Sequence, residues 1–159
     1  RCNNRNEVKI IPPIYIVWVA IFVTNLFVNI ELMGSDEPIN ISHFYPNIVV
    51  LLAAIYIHRV GQSFDFDSDG ETLIFKNNGV LFSKFMEYRV QKAEFPKRKL
   101  GKFKFRDFGI YSSLTIYISS RRRRGFKKYT FNTTFLNKKK KKAMVESLHK
   151  ILEKAKATA

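Results

Sequence analysis

Residues 10–30 read IIPPIYIVWVAIFVTNLFVNI, 21 residues without one formal charge. A hydrocarbon core of about 30 Å takes about 20 apolar residues at about 1.5 Å rise each, so this stretch predicts a membrane-spanning helix. Pro12 and Pro13 stand at its start, where a helix has no partner for the missing N–H anyway. Tyr15 and Trp18 suit an interface, where an aromatic ring keeps its polar edge in water. A helix apolar on every side has nowhere to hide in a soluble chain of 159 residues. The run is too long for a secretion signal, and no small-residue cleavage motif follows it.

A second run, FYPNIVVLLAAIYI at 44–57, lies in a stretch uncharged from Pro38 onward and carries Tyr45 and Tyr56 near its ends. It predicts a second span, so that helices are expected at about 10–33 and 41–60. The loop between them, 34–43, has no Lys or Arg but carries Asp36 and Glu37, whereas Arg1, Arg5 and Lys9 precede the first run. Positive charge stays on the cytoplasmic side. The expected topology is therefore a helical hairpin with both termini in the cytoplasm and the acidic loop outside. Asn25 and Asn29 fall on one face of the first helix. Amides in hydrocarbon seek partners, at about 0.6–2 kcal/mol per interhelical bond, so the two predict contacts to Asn47 in the second helix or to another subunit.

Charge divides the chain at about residue 60. Residues 1–60 hold four basic and four acidic residues; residues 61–159 hold 24 basic and nine acidic, which is the entire net charge of +15. Such an excess asks for an anionic neighbour. A hydrophobic content of 46% rules out a disordered basic tail, and the single cysteine, Cys2, rules out a disulfide scaffold or a cysteine-based zinc cluster. The first nine residues, Cys2 included, read as a mobile tail.

Beyond Gly61 the apolar period becomes two. Phe64 and Phe66, then Leu73 and Phe75, alternate with polar neighbours, and Asp69-Gly70 and Asn78-Gly79 read as hairpin turns. Further strands are expected at 80–82, 87–95 (ended by Pro96), 102–106, 109–119 and 126–131. Met144, Val145, Leu148, Ile151, Leu152 and Ala155 then recur at helical spacing, which predicts an amphipathic helix over 138–156 capped by Asn137. The expected fold is a transmembrane α-helical hairpin (1–60, with its tail) and a mostly β, α+β domain (61–159). That domain is an antiparallel meander of six to seven strands closed by a C-terminal amphipathic helix.

Two apolar helices, then FDFDSDGETLIFKNNGVLFSKF, a meander and the terminal FLNKKKKKAMVESLHKIL together resemble bacterial two-helix membrane proteins with a pleckstrin-homology-like domain. The resemblance covers about residues 10–155. It implies a PH-like fold and a non-enzymatic module tethered in the bacterial inner membrane. Lipid-binding members carry a basic first hairpin loop, whereas this chain has Ser68-Asp69-Gly70-Glu71 there, so a phosphoinositide site of that type is not expected.

Residues 65–70, DFDSDG, open like a calcium loop, but position twelve is Lys76 where a bidentate Glu belongs, so a turn between strands is expected instead. No phosphate loop, nucleophile elbow or paired histidine motif occurs, and His43, His58 and His149 are scattered. No enzyme activity, cofactor, metal or small-molecule substrate is expected. Three basic clusters are the candidate binding residues. The first is Lys97, Arg98 and Lys99 with Lys102, Lys104 and Arg106, the last three on one strand face. The second is Arg121, Arg122, Arg123 and Arg124 with Lys127 and Lys128. The third is Lys138, Lys139, Lys140, Lys141 and Lys142, at a helix N-terminus whose dipole they oppose.

The expected role is a membrane-anchored interaction module, an accessory or scaffolding subunit of an inner-membrane complex. Its basic domain would dock on anionic headgroups or an acidic protein subunit, with nucleic acid as the lesser alternative because no recognised binding motif is present. The Lys/Arg bias makes a direct prediction in a Cys2→Ser background. Ser35→Cys reacts with an impermeant thiol reagent on intact cells, and Ser120→Cys reacts only after the cells are opened. The opposite labelling pattern overturns the orientation.

Overall fold

The computed structural model of the chain describes residues 1–33, 45–80, 90–120 and 125–157. They form two compact units, Ile10–Arg59 and a second built from Arg1–Lys9 together with Val60–Ala159.

The first unit holds α1 (Ile11–Met33) and most of α2 (Tyr45–Val60). The 23 residues of α1 give a length of about 34 Å. Among the described residues α1 is the helix long and apolar enough to cross a membrane; α2, with 16 residues, is a shorter apolar helix. Most of α1 turns large apolar side chains outward, with Ile16 71% and Phe27 64% exposed. A continuous surface of this kind is unfavourable in water and at home in lipid. The Tyr15 hydroxyl donates to the Ala54 carbonyl at 3.2 Å, joining the two helices.

The second unit is α+β. Its strands are β1 (Cys2–Asn3), β2 (Gln62–Asp67), β3 (Thr72–Gly79), β4 (Gln91–Pro96), β5 (Leu100–Asp107), β6 (Ser112–Ser120) and β7 (Gly125–Asn132), followed by α3 (Lys138–Ala157). They form two antiparallel sheets, ordered β1-β2-β3-β4 and β5-β6-β7. Period-two alternation sends Phe64, Phe66, Leu73, Phe75, Ala93 and Phe95 of the first sheet inward, together with Leu114, Ile116 and Phe131 of the second. Phe75 is fully buried, its ring centre 5.0 Å from Phe66, 6.0 Å from Phe95 and 5.4 Å from Phe131, so it links both sheets. Met144 and Leu148 of α3 close the core, and the Asn137 side-chain oxygen accepts from the Lys139 amide at 3.1 Å as the expected cap.

Three expectations are corrected. Asn78-Gly79 is no turn: β2 starts early enough to pair Asn78 with Ser63 and Gly79 with Gln62, so β3 runs through both. The expected strand over 109–119 begins only at Ser112, because Gly109 adopts φ +80° and Asp107 accepts its amide, turning the chain over 108–111. The expected strand at 80–82 and the start of that at 87–95 fall largely at 81–89, outside the described residues.

The third correction moves a boundary. The first nine residues belong with the β unit and not with the helices. Cys2 pairs with Phe66 and Asn3 with Asp65, so β1 extends the free edge of β2. Asn4 is fully buried. Its side chain accepts from the Phe64 amide at 2.6 Å and donates to the Gln62 carbonyl at 3.2 Å. Arg5 places its guanidinium on both carboxylate oxygens of Asp65, with a closest approach of 2.8 Å.

Asn4→Ala leaves two buried backbone groups unsatisfied and is expected to destabilise the β unit by about 2–4 kcal/mol. Asn4→Asp keeps the acceptor for Phe64 but buries a carboxylate against the Gln62 carbonyl, so it is expected to lose at least as much. Denaturation of the full chain in detergent, followed by the β-sheet signal, measures both.

Candidate anionic-surface interface

Among the described residues, one face of the second sheet carries a set of four cations without ion pairs. From Lys102 onward β5 alternates, with Phe103 and Phe105 packed against the core and Lys102, Lys104 and Arg106 exposed. The strand register aligns three rows on that outer face: Arg106–Ser113–Asn132, Lys104–Thr115–Thr130 and Lys102–Tyr117–Lys128. Four exposed cations therefore rim a face about 13 Å along the strands and about 10 Å across, while Ser113, Thr115 and Asn132 between them are buried and the Asn132 amide donates to the Val60 carbonyl at 3.2 Å. No acidic residue occupies these rows, and none of the four cations has an ion pair among the described residues. The hydroxyls of Thr115 and Thr130 lie 3.2 Å apart and bond to each other rather than to the cations.

The same register separates two residues read together in the sequence. Lys128 lies on this face. Lys127 points to the other side, its ammonium 4.9 Å from the centre of the Tyr129 ring.

The lysine run 138–142 is divided by the fold. Lys140 donates to the Glu7 carboxylate at 2.7 Å and to the Asn3 carbonyl at 2.8 Å, tying α3 to the N-terminal segment. Lys141 is buried, and its ammonium meets Asp107 at 3.1 Å. Lys142 comes within 4.0 Å of Glu146 one helical turn on. Only Lys138 and Lys139 are exposed without an ion pair among the described residues. For Lys140 and Lys141 the expected anionic partner is thus intramolecular, a correction to their reading as an external docking site. The favourable contacts offset the dipole cost at this helix start.

Partial desolvation acts to raise the Asp107 carboxyl. The hydrogen bonds from Lys141 and from the Gly109 amide, with the charges of Lys141 and Lys138, outweigh it and hold the group below its usual range. Burial pushes the Cys2 thiol up against the opposing pull of the Lys140 charge, so it stays protonated at neutral pH.

Lys97, Arg98 and Lys99 form a short 3-10 turn between β4 and β5. Lys97 and Arg98 line an open groove of about 910 Å³ against α3, where Glu71, Glu146 and Glu153 stand beside Lys150 and Lys154. The groove is of mixed charge and separate from the cationic face. Arg121, Arg122, Arg123 and Arg124 lie outside the described residues.

In the helical unit, the Asn29 amide donates to the Asn25 carbonyl and side-chain oxygens at 2.7 and 2.8 Å, one turn back along α1. Asn29 and Asn47 are buried, and the Asn47 side-chain oxygen has no hydrogen-bond partner among the described residues. Asp67 accepts the Asp69 amide at the β2–β3 turn, and Asp65 is held by Arg5. Among the described residues no group of three or more His, Cys, Asp or Glu side chains is arranged to hold a metal ion. Sequence reading missed Asn3, Asn4 and Glu7 as partners of the distant domain, since nine residues show no period. It also missed the turn at Asp107, for which Asp two residues before Gly is a usable signal. Compared with known proteins, no family model, curated protein or solved structure matches this chain.

The division of the lysine run is testable. Lys138→Glu and Lys139→Glu are expected to raise stability by a few tenths to about 1 kcal/mol each by favouring the helix dipole. Lys140→Ala and Lys141→Ala are expected to lower it, each by about 1–2 kcal/mol. Asp107 has a folded pKa below its unfolded one, so its contribution is complete above about pH 4 and lost as pH falls through the depressed value. Melting curves between about pH 2 and 6 should show that acid limb in the parent and a shallower one in Lys141→Ala.

Proposed function

We propose that this chain is a membrane-anchored, non-catalytic interaction module that lays the cationic face of its second sheet on an anionic bilayer surface. The observation that carries this reading is the acid-free set of Lys102, Lys104, Arg106 and Lys128 on a domain joined by both flanks to an apolar segment.

The flanks supply the topology. Residues before Ile10 and after Arg59 belong to one folded unit. Such a unit cannot straddle a bilayer, because its open strand edges would leave backbone groups unsatisfied in hydrocarbon. The segment between them therefore crosses an even number of times. Since α1 is long enough to cross once, the return passes through the uncharged stretch from Pro38 that includes α2. With the Lys/Arg bias, this supports the reading of the β unit as cytoplasmic, on a bacterial inner membrane, in the PH-like arrangement that the sequence resembles and as an accessory or scaffolding subunit.

The magnitudes are self-consistent. Four cations at about 1 kcal/mol each give about 4 kcal/mol, a dissociation constant of about 1 mM. Tethering supplies an effective concentration of about the same size, so a face too weak to capture vesicles from solution is occupied when anchored beside one.

The test uses full-length protein with Cys2→Ser and a donor fluorophore at Thr130→Cys, reconstituted in vesicles with headgroup acceptors. Energy transfer should be higher with anionic than with neutral lipid and fall with salt. Lys102→Ala with Lys104→Ala and Arg106→Ala should weaken docking about a hundredfold while leaving insertion intact. Transfer independent of lipid charge overturns the reading. Stoichiometric recovery of an acidic membrane protein, or of RNA, would then assign the face to that partner.

A further inference from the structure

We propose that the β5–β6 turn, residues 108–111, is a hydrophobic wedge that enters the interfacial layer of the bilayer beside the cationic face. The proposal rests on the docking reading above and names how the domain is held.

The turn exposes Phe108 by 69%, Ile110 by 74% and Tyr111 by 37%. Single exposed apolar residues are ordinary; three within four residues at one tip form a continuous apolar point. Its composition, two aromatics and a branched aliphatic, is that of side chains that partition into the headgroup–acyl boundary.

The backbone of the tip is already prepared for a medium without water. The Phe108 amide donates to the Tyr111 carbonyl at 2.9 Å, the Gly109 amide to Asp107 at 3.1 Å, and the Ile110 amide to the Phe108 carbonyl at 3.0 Å. Three consecutive donors are thereby satisfied within the turn, which removes the main penalty for immersion. The acid at its base, Asp107, is paired with the buried Lys141, so it does not repel anionic headgroups. That contact also braces the turn against α3. Next to it, Arg106 belongs to the cationic face.

Location within the β unit identifies the occupant. Ser112 and Ser113 follow the turn, and Ser113 pairs with Asn132, whose side-chain amide donates to the Val60 carbonyl at 3.2 Å. Val60 directly follows Arg59, the last residue of the apolar unit. The wedge thus lies within roughly 15 Å of the point where the chain passes into that unit. An apolar tip so placed, flanked by cations, fits a lipid surface better than any other partner.

The experiment uses full-length protein in a Cys2→Ser background, with an environment-sensitive fluorophore at Ile110→Cys, Thr130→Cys or Ser119→Cys. The protein is reconstituted in anionic phosphatidylglycerol-containing vesicles with and without acyl-chain-brominated lipid. The expected result is a blue shift and bromine quenching at position 110, neither at position 119, and headgroup-level proximity without acyl quenching at position 130. Proximity at 130 with an unquenched, water-like probe at 110 overturns the wedge and leaves surface docking intact. A water-like probe at 110 and no proximity at 130 overturns both. As a label-independent check, Phe108→Ser with Ile110→Ser should leave the melting curve unchanged, because both side chains are exposed, yet reduce energy transfer from position 130 to the membrane. Unchanged transfer in that variant also overturns the wedge.

Discussion

The buried side chain of Asn4 is the interaction on which the topology of the molecule turns. It supplies an acceptor to the Phe64 amide and a donor to the Gln62 carbonyl, two backbone groups of β2 that would otherwise lack a partner. In doing so it binds the residues ahead of the apolar segment into the domain that follows it. Arg5 on Asp65 and Glu7 on Lys140 add charged contacts around the same junction. Because both flanks are held in one body, the apolar segment becomes a closed excursion of the chain.

Lysine in this protein has several employments that formal charge does not distinguish. On β5 it stands exposed on the face opposite Phe103 and Phe105, with no ion pair among the described residues. At the start of α3 it is consumed internally, by Glu7 through Lys140 and by Asp107 through Lys141. In the 3-10 turn at residues 97–99 it shares a groove with three glutamates. A net charge of +15 is therefore a poor measure of the field any one partner meets. The sheet face stands apart because Lys102, Lys104, Arg106 and Lys128 make no ion pair among the described residues.

The core and the surface are coupled through α3. Its apolar side packs Met144 and Leu148 under the two sheets, while its first turn reaches outward to the N-terminal segment and to the base of the β5–β6 turn. One helix thus closes the hydrophobic core, secures the first strand and braces the exposed tip that carries Phe108 and Ile110. Its Asn137 cap satisfies an N-terminal amide that the lysines cannot serve.

Much of this molecule was legible in one dimension. The uncharged run at 10–30, the shift from an apolar helix to period-two alternation, the Asp69-Gly70 turn and the spacing of Met144, Leu148 and Ile151 each report a local rule: which side of an element faces away from water. The inward turn of Phe103 and the outward turn of Lys104 follow from the same rule. What tertiary structure alone decided is which distant groups meet. Cys2 pairs with Phe66, Asn4 with Phe64, Lys140 with Glu7 and Lys141 with Asp107, across separations that leave no periodic trace. Periodicity records the direction of burial, but hydrogen-bond and charge pairing depend on register between segments, and that is set only when the chain closes on itself.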